Sequence, residues 1–240
     1  MKALAGVRRV LAAAQRRGRR APRWLYPAVF AACCAPLLYV AVVLASDLAR
    51  GTRYLGSNPI REAEHFTGEW TLRFLMFTLG VTPARELTGW NWLIRYRRTL
   101  GVFTFFYAMF HWSTYLGLDM MLDLGDIIHD IKKHPYIMVG MAAFLLLVPL
   151  AVTSTRGWVK RLGGRRWNEL HSLVWPIAAF GLIHFAWGLK KDMDDPIVFA
   201  SIFAGLFAYR IWRWTPFGRR VALPGAPTAA ARSEVASSPA

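Results

Sequence analysis

The chain has 240 residues, of which 55% are hydrophobic, and it carries a formal net charge of +16. Its apolar blocks alternate with short basic clusters. This is typical of a polytopic membrane protein and excludes an ordinary soluble domain, whose charges would cover its whole surface. The two cysteines, Cys33 and Cys34, are adjacent in an apolar stretch, so we expect no disulfide framework, CxxC redox site or bound iron–sulfur cluster.

The N-terminal residues 1–23 contain eight Lys and Arg and no acidic residue. We expect them to form a basic cytoplasmic arm on the lipid surface. They do not resemble a signal peptide, because the apolar stretch that follows is too long for an h-region and no AxA-type cleavage site comes after it.

Six apolar segments follow, at 25–45, 66–81, 99–118, 135–153, 167–189 and 196–214. A helix needs about 20 apolar residues to cross a bilayer, so the sequence predicts an all-α, polytopic membrane helix bundle of about six transmembrane helices. The second segment is the weakest, since it is short and contains Arg73; a re-entrant or interfacial segment is the alternative. Arg73 either extends to the nearer interface or neutralises an acidic group of a buried cofactor.

The distribution of basic residues predicts the topology. One side holds 22 of the 30 Lys and Arg, counting Arg210 and Arg213 at the end of the sixth segment, and the other side holds seven. This asymmetry places both termini in the cytoplasm and explains the positive charge without a nucleic-acid partner. We expect residues 217–240 to be a disordered cytoplasmic tail. The opposite, outer face is acidic and suits a docking partner, with Asp119, Asp123, Asp126 and Asp130.

Histidines inside the apolar segments are the candidate functional residues, because ionisable groups within a membrane usually mark a site. His111 in the third segment and His184 in the fifth are expected at about the same depth, since both segments run outward. Two imidazoles at one depth on neighbouring helices are what a bis-histidine haem needs. The alternative is two separate polar groups that bond to backbone carbonyls.

His171 lies 13 residues before His184, about 20 Å along a helix, so the two cannot bind one metal ion together. It is a second haem ligand, an alternate ligand after helix movement, or a contact to another cofactor. On an ideal helix the two rings point about 140° apart, and a kink at Pro176 or Gly181 is needed to turn both inward. His65 is a candidate for the outer rim of a cofactor site, whereas His129 and His134 are expected to be solvated.

Several motifs resemble a known family. In order, these are EHFTG, IRYRRTLGVF, FHWSTY, VTSTRGWVKRLGGRRWNELHSLVW and IHFAW. Together they resemble the haem-binding membrane subunits of bacterial periplasmic methionine sulfoxide reductase systems, the MsrQ (formerly YedZ) family. The resemblance covers roughly residues 25–214 and implies a ferric reductase-like transmembrane haem domain at 24–216.

Related ferric reductases and NADPH oxidases stack two haems between their third and fifth helices. By resemblance, His171 and His184 match the histidine pair of the fifth helix, and His111 matches the outer histidine of the third. Arg97 stands fourteen residues before His111, where those proteins carry an inner histidine. The resemblance therefore implies one haem b, or two, and also FMN. We hypothesise that Arg97 and Arg98 bind the FMN phosphate; the alternative is positive-inside anchoring.

The implied function is electron relay in the bacterial inner membrane. Electrons from membrane quinol or a cytoplasmic flavin reductase would pass through the haem held by His111 and His184. They would leave for a periplasmic molybdopterin-containing methionine sulfoxide reductase (MsrP), which repairs oxidised proteins and holds the substrate-reducing site. One alternative is a ferric-reductase-type oxidoreductase acting on external iron or oxygen. An alternative of another class is a small transporter or scaffold with structural histidines.

Overall fold

A computed structural model describes residues 21–189 and 193–221. In this part of the chain the protein is all-α, as predicted, with nine helices. They are α1 (Leu25–Arg50), α2 (Pro59–Thr88), α3 (Ile94–Thr114), α4 (Leu124–Lys133), α5 (Tyr136–Val152), α6 (Arg156–His171), α7 (Val174–Leu189), α8 (Asp194–Trp214) and α9 (Pro216–Arg220). A 3₁₀ turn at Asn91–Leu93 precedes α3, and a π-helical turn at Tyr115–Asp119 extends it.

Length and composition identify the helices able to cross a membrane. Within the described residues there are three such candidates: α1, the continuous stretch Arg156–Leu189 that comprises α6 and α7, and α8. Helices α4 and α5, bent by 110° to each other, make a fourth candidate. Helices α2 and α3 have 30 and 21 residues, long enough to span but more polar in composition. The prediction of an all-α membrane bundle is confirmed, whereas the count of six spans stays a prediction.

Helix α2 is longer than its apolar segment, 66–81, indicates. Asn58 accepts a hydrogen bond from the Arg61 amide at 3.2 Å, Pro59 occupies the first turn, and Gly89 ends the helix with φ 74°. These are strong start and stop signals. The helix has 30 residues and is about 45 Å long, so the weakest predicted span is one continuous helix of sufficient length to cross a bilayer.

The fifth predicted segment, in contrast, is broken between α6 and α7 at residues 172–173. Pro176 has no amide hydrogen to donate to the Ser172 carbonyl, so the regular helical bond is lost at this point. The Trp175 amide donates to that carbonyl instead, at 3.2 Å. His171 therefore ends α6 and His184 lies on α7, and the two helices together form one candidate span, Arg156–Leu189.

The core joins two closely packed helix pairs, α2 with α3 and α5 with α7. Leu72 and Leu75 of α2 pack with Leu147 of α5 and with Ile177 and Ala178 of α7 in the largest buried cluster. Helix α1 packs against α2 and α3. This arrangement encloses a space between the two pairs, toward the end of the bundle that the charge distribution predicts to be periplasmic, the outer end.

Most of the predicted arm and tail lies outside the described residues, which begin at 21 and end at 221. The short helix α9 carries the described structure to Arg220, past the predicted boundary at 217. Gly163 interrupts α6 with φ 73°. At the outer end, Asp123 caps the start of α4, and its carboxylate accepts hydrogen bonds from the amides of Gly125 and Asp126.

Candidate functional site

The imidazoles of His111 and His184 face each other across the space between the two helix pairs. Their ring centroids are 6.2 Å apart and their planes cross at 78°. His111 lies in the last part of α3 and His184 in the last part of α7, so the expected match in depth is observed.

Each ring is held through Nδ1 by a backbone carbonyl. His111 Nδ1 lies 2.9 Å from the Glu64 oxygen on α2, and His184 Nδ1 lies 2.8 Å from the Tyr136 oxygen on α5. A carbonyl can only accept, so Nδ1 carries the hydrogen and Nε2 of the neutral ring keeps its lone pair. No hydrogen bond to either Nε2 is found within the described residues. Both rings are thus oriented as metal-binding histidines are, with Nδ1–H donating to a fixed acceptor.

A glycine stands one helical turn after each of these carbonyls. A Cβ on Gly68 would lie 3.3 Å from His111 Cε1, and a Cβ on Gly140 would lie 2.6 Å from His184 Nδ1. In both α2 and α5, a carbonyl is followed four residues later by a glycine, and the absent side chain lets a histidine ring approach the backbone closely. The sequence interpretation did not identify either glycine. A glycine inside an apolar helical segment is the available signal, since it often marks close approach of another group.

The histidines open into a cavity of about 480 Å³. Its walls between the helix pairs are largely apolar, formed by Leu72, Leu75, Ala108, Phe144, Leu147 and Ile177 among others. Its outer end is polar, with Arg61, Glu64, His65, Tyr115, Asp130 and His134. A cavity of this size, apolar with a few polar groups, is typical of a cofactor site, for which volumes of about 300–1,000 Å³ are usual.

The geometry fits an iron between the two rings. A metal–imidazole bond is about 2 Å long. If both rings bind one iron through Nε2, the separation of the ring centres is the sum of two such bonds and of the two distances from ring centre to Nε2. This sum is about 6 Å, close to the observed 6.2 Å. The alternative of two structural histidines accounts for the Nδ1–carbonyl bonds. It does not account for two rings that face each other across an apolar cavity with Nε2 unbonded.

His171 lies apart from this pair and is not among the residues that line the cavity. Its ring stacks on Trp167 at 3.8 Å between centroids, and its Nδ1 lies 3.1 Å from the Trp167 carbonyl. Nε2 has a 3.5 Å contact with Ser154 Oγ. His171 therefore belongs to a second polar region, at the inner end of the bundle.

The other predicted site residues are divided between these regions. His65 lines the outer end of the cavity, as the rim prediction requires. Arg73 does not line it; its guanidinium pairs with Glu69 at 2.7 Å and lies 5.1 Å from the Trp70 ring centre. Arg97 is partly buried and contacts Thr82 Oγ1 at 3.4 Å, whereas Arg98 is exposed. The structure therefore separates the two neighbouring arginines.

Comparison with known proteins gives a consistent result. Residues 67–182 match the family model of the ferric reductase like transmembrane component. The chain is 50% identical over 177 residues to a protein-methionine-sulfoxide reductase heme-binding subunit MsrQ of Herminiimonas arsenicoxydans, covering 72% of this chain and 81% of the relative. It is 50% identical over 185 residues to the protein of that name from Rhodospirillum rubrum, covering 77% and 86%. The corresponding Xanthomonas campestris protein is 45% identical over 200 residues, covering 83% and 91%.

Proposed function

Since the chain belongs to the MsrQ family, we propose that it is a membrane electron-transfer subunit that holds a b-type haem between His111 and His184. The observation that carries this proposal is the pair of facing imidazoles, 6.2 Å apart, each with Nδ1 bonded to a carbonyl. The printed names of the relatives, which are heme-binding subunits, support the same cofactor.

The chain's own residues would bind and orient the cofactor. His111 and His184 would supply two nitrogen ligands to the iron, and the carbonyls of Glu64 and Tyr136 would keep the rings from rotating. The apolar walls would limit access of water and keep the local dielectric constant low, which helps set the reduction potential. The haem would supply reversible one-electron transfer, so this chain would need no substrate-reducing site of its own.

The proposed route runs from the basic inner end of the bundle to the acidic outer end. Electrons would enter from membrane quinol or a cytoplasmic flavin reductase, with FMN as a further carrier. They would leave for a periplasmic molybdopterin-containing methionine sulfoxide reductase that repairs oxidised proteins. The position of the cavity supports this order, because Asp119 and Asp130 line its outer end. Both termini would lie in the cytoplasm and the chain would cross the inner membrane several times.

His171 and the inner arginines complete the proposal. His171 would be a second or alternate haem ligand, because its Nδ1 is held by a backbone carbonyl, that of Trp167, as Nδ1 is in His111 and His184. A count of haem per chain tests this role: the His171→Ala variant would lose one haem, or lose a ligand-exchanged spectral form, and retain the haem of the His111–His184 pair. Arg97 and Arg98 would bind the FMN phosphate, while Arg73 and His65 are the weaker candidates for cofactor contacts.

An optical spectrum of the purified full-length protein tests the main proposal. We expect the reduced spectrum of a low-spin b-type haem, and we expect His111→Ala and His184→Ala each to abolish it. His129→Ala is the matched control, since His129 is exposed on α4, and it should leave the spectrum unchanged. A colourless wild-type protein, or a low-spin spectrum that survives both alanine substitutions, would refute the proposal and favour a transporter or scaffold.

A ferric-reductase-type activity is the second candidate, favoured by the family match at 67–182. Reoxidation kinetics distinguish the two functions. The methionine sulfoxide reductase system requires rapid reoxidation of the reduced haem by the purified periplasmic molybdopterin enzyme and its substrate. The ferric-reductase function requires rapid reoxidation by a ferric chelate alone.

A further inference from the structure

One carboxylate joins the two sides of the cavity at its outer end. Asp130, on α4, accepts a hydrogen bond from the Tyr115 hydroxyl at 3.0 Å through Oδ2. Its other oxygen, Oδ1, lies 2.8 Å from His134 Nδ1, and because an ionised carboxylate only accepts, Nδ1 donates. The Asp130 and His134 side chains are 23% and 27% exposed. Hydrogen bonds to a charged group that is partly shielded from water are among the stronger ones, so Asp130 holds both partners firmly.

The Tyr115 side of this link is continuous with the first histidine of the facing pair. Tyr115 stands one helical turn after His111, and its amide donates to the His111 carbonyl at the end of α3. It also begins the π-helical turn Tyr115–Asp119, and such turns are rare and frequently lie at functional sites. Since one turn of helix is rigid, the position of the Tyr115 hydroxyl restrains the height and rotation of the His111 backbone.

The His134 side is continuous with the second histidine. His134 directly follows α4, and its carbonyl accepts a hydrogen bond from the Ile137 amide in the first turn of α5 at 3.0 Å. Its ring centre lies 5.7 Å from that of Tyr136, which in turn lies 5.6 Å from that of His184. The Tyr136 carbonyl also holds His184 Nδ1. A displacement of His134 would therefore reach His184 through both the ring and the backbone of Tyr136.

Helix packing alone leaves the separation of the two histidines less well defined. In the described ranges 21–189 and 193–221, no second hydrogen bond joins α3 and its π-helical turn to α4 or α5. Trp112 of α3 stacks on Phe144 of α5 at 5.2 Å between ring centres, but apolar contacts are non-directional and permit sliding. A binding site must hold its groups to within about 0.5 Å, and directional bonds at the outer end of the cavity supply that restraint.

We propose that Asp130 is a positioning residue that sets the distance between the His111 and His184 rings. It bonds to neither ring and acts through Tyr115 and His134, which tie the end of α3 to the start of α5. The inference rests on the proposed function, in which both imidazoles bind one iron. An iron that keeps both imidazoles has no open position for a small external ligand such as carbon monoxide. The affinity for carbon monoxide therefore reports how firmly the two rings are held.

The test uses the full-length purified protein with Asp130→Ala, and with Asp126→Ala, exposed on the same helix, as the matched control. Three quantities are measured on each protein: haem per chain, the optical spectrum of the reduced form, and the affinity of the retained haem for carbon monoxide. We expect Asp130→Ala to retain haem and to bind carbon monoxide about 10- to 100-fold more tightly than the wild type, and the control to match the wild type. A purely structural role would lower the yield of folded protein and leave the affinity of the retained haem unchanged.

Two further variants keep the inference testable where Asp130→Ala does not fold. Tyr115→Phe removes a single oxygen atom and should also raise the affinity for carbon monoxide, whereas Asp130→Asn keeps an acceptor for the Tyr115 hydroxyl and should restore most of the wild-type behaviour. If the link acts as a unit, adding Tyr115→Phe to Asp130→Ala should change the affinity little further. Unchanged affinity in Asp130→Ala and Tyr115→Phe, with haem bound, would overturn the inference. Failure of the proposed function is a different result, namely a wild type without haem.

Discussion

The His184 ring lies against the α5 backbone at Gly140, so closely that a Cβ there would come within 2.6 Å of Nδ1. At Gly68 the corresponding distance to His111 Cε1 is 3.3 Å. The first distance is too short for any side chain, whereas the second requires only a small displacement. The two glycines therefore differ in how strictly the site requires them.

We expect Gly140→Ala to remove the His184 ring from its position and to weaken haem retention about 10- to 100-fold, because overpacking costs about 1–3 kcal/mol. Gly68→Ala should weaken it less. The measurement is haem bound per chain after purification and the rate of haem transfer to an acceptor protein.

Gly80→Ala and Gly205→Ala are the matched controls, since nothing lies within 4 Å of a Cβ at either position. Both lie inside helices, where alanine is favoured over glycine by up to about 1 kcal/mol, so neither should lose haem. Equal haem retention in Gly140→Ala and in these controls would contradict the role of the glycine.

The 78° angle between the planes of His111 and His184 predicts the magnetic signature of the ferric haem. Crossed imidazole planes leave the two π-bonding d orbitals of the iron nearly equal in energy, whereas parallel planes separate them. Electron paramagnetic resonance at low temperature should show a strongly anisotropic low-spin signal with one large g value. As a control, the integrated intensity of the signal is compared with the total haem in the sample. A rhombic signal that accounts for all the haem would show that the planes are parallel.

The buried ion pair between Glu86 and Arg213 should contribute strongly to stability. It joins α2 to α8, both side chains are only 11% exposed, and Tyr209 donates to the same carboxylate. Removing one partner of a buried pair leaves an uncompensated charge and typically costs about 3–5 kcal/mol. Glu86→Gln should therefore destabilise the protein by about 3 kcal/mol, measured by unfolding in mixed detergent micelles.

Glu169→Gln is the control for that measurement. Glu169 pairs with Arg165 at 3.1 Å, but the two side chains are 62% and 80% exposed. Exposed pairs contribute about 1 kcal/mol or less. If both substitutions had the same small effect, the Glu86–Arg213 pair would not stabilise the packing of α2 against α8.

Asp47 should fix the loop between α1 and α2. Its buried carboxylate accepts hydrogen bonds from the Tyr54 amide at 3.1 Å, the Leu55 amide at 2.8 Å and the Thr52 hydroxyl. Asp47→Ala leaves these donors without their acceptor and should cost about 1–3 kcal/mol. Proteolysis within residues 51–57 should become faster. Asp126→Ala at an exposed position of α4 is the control, and equal proteolysis of the two variants would contradict the prediction.

The sequence alone determined the all-α class and the approximate depth of the histidines. Apolar segments of membrane-spanning length predict helices from local composition, and the basic residues predict their direction. From these two facts it followed that His111 and His184 lie at one level. Both signals are local in the chain, which is why they are readable without a structure.

Only the tertiary structure decided how the site is built. The pairing of α2 with α3 and of α5 with α7 supplies the carbonyls and glycines that hold the two rings. His184 lines the cavity and His171 does not. Arg97 contacts Thr82 inside the bundle, whereas the adjacent Arg98 is exposed. Each of these depends on how helices far apart in sequence pack and rotate against one another, and residue composition does not specify that rotation.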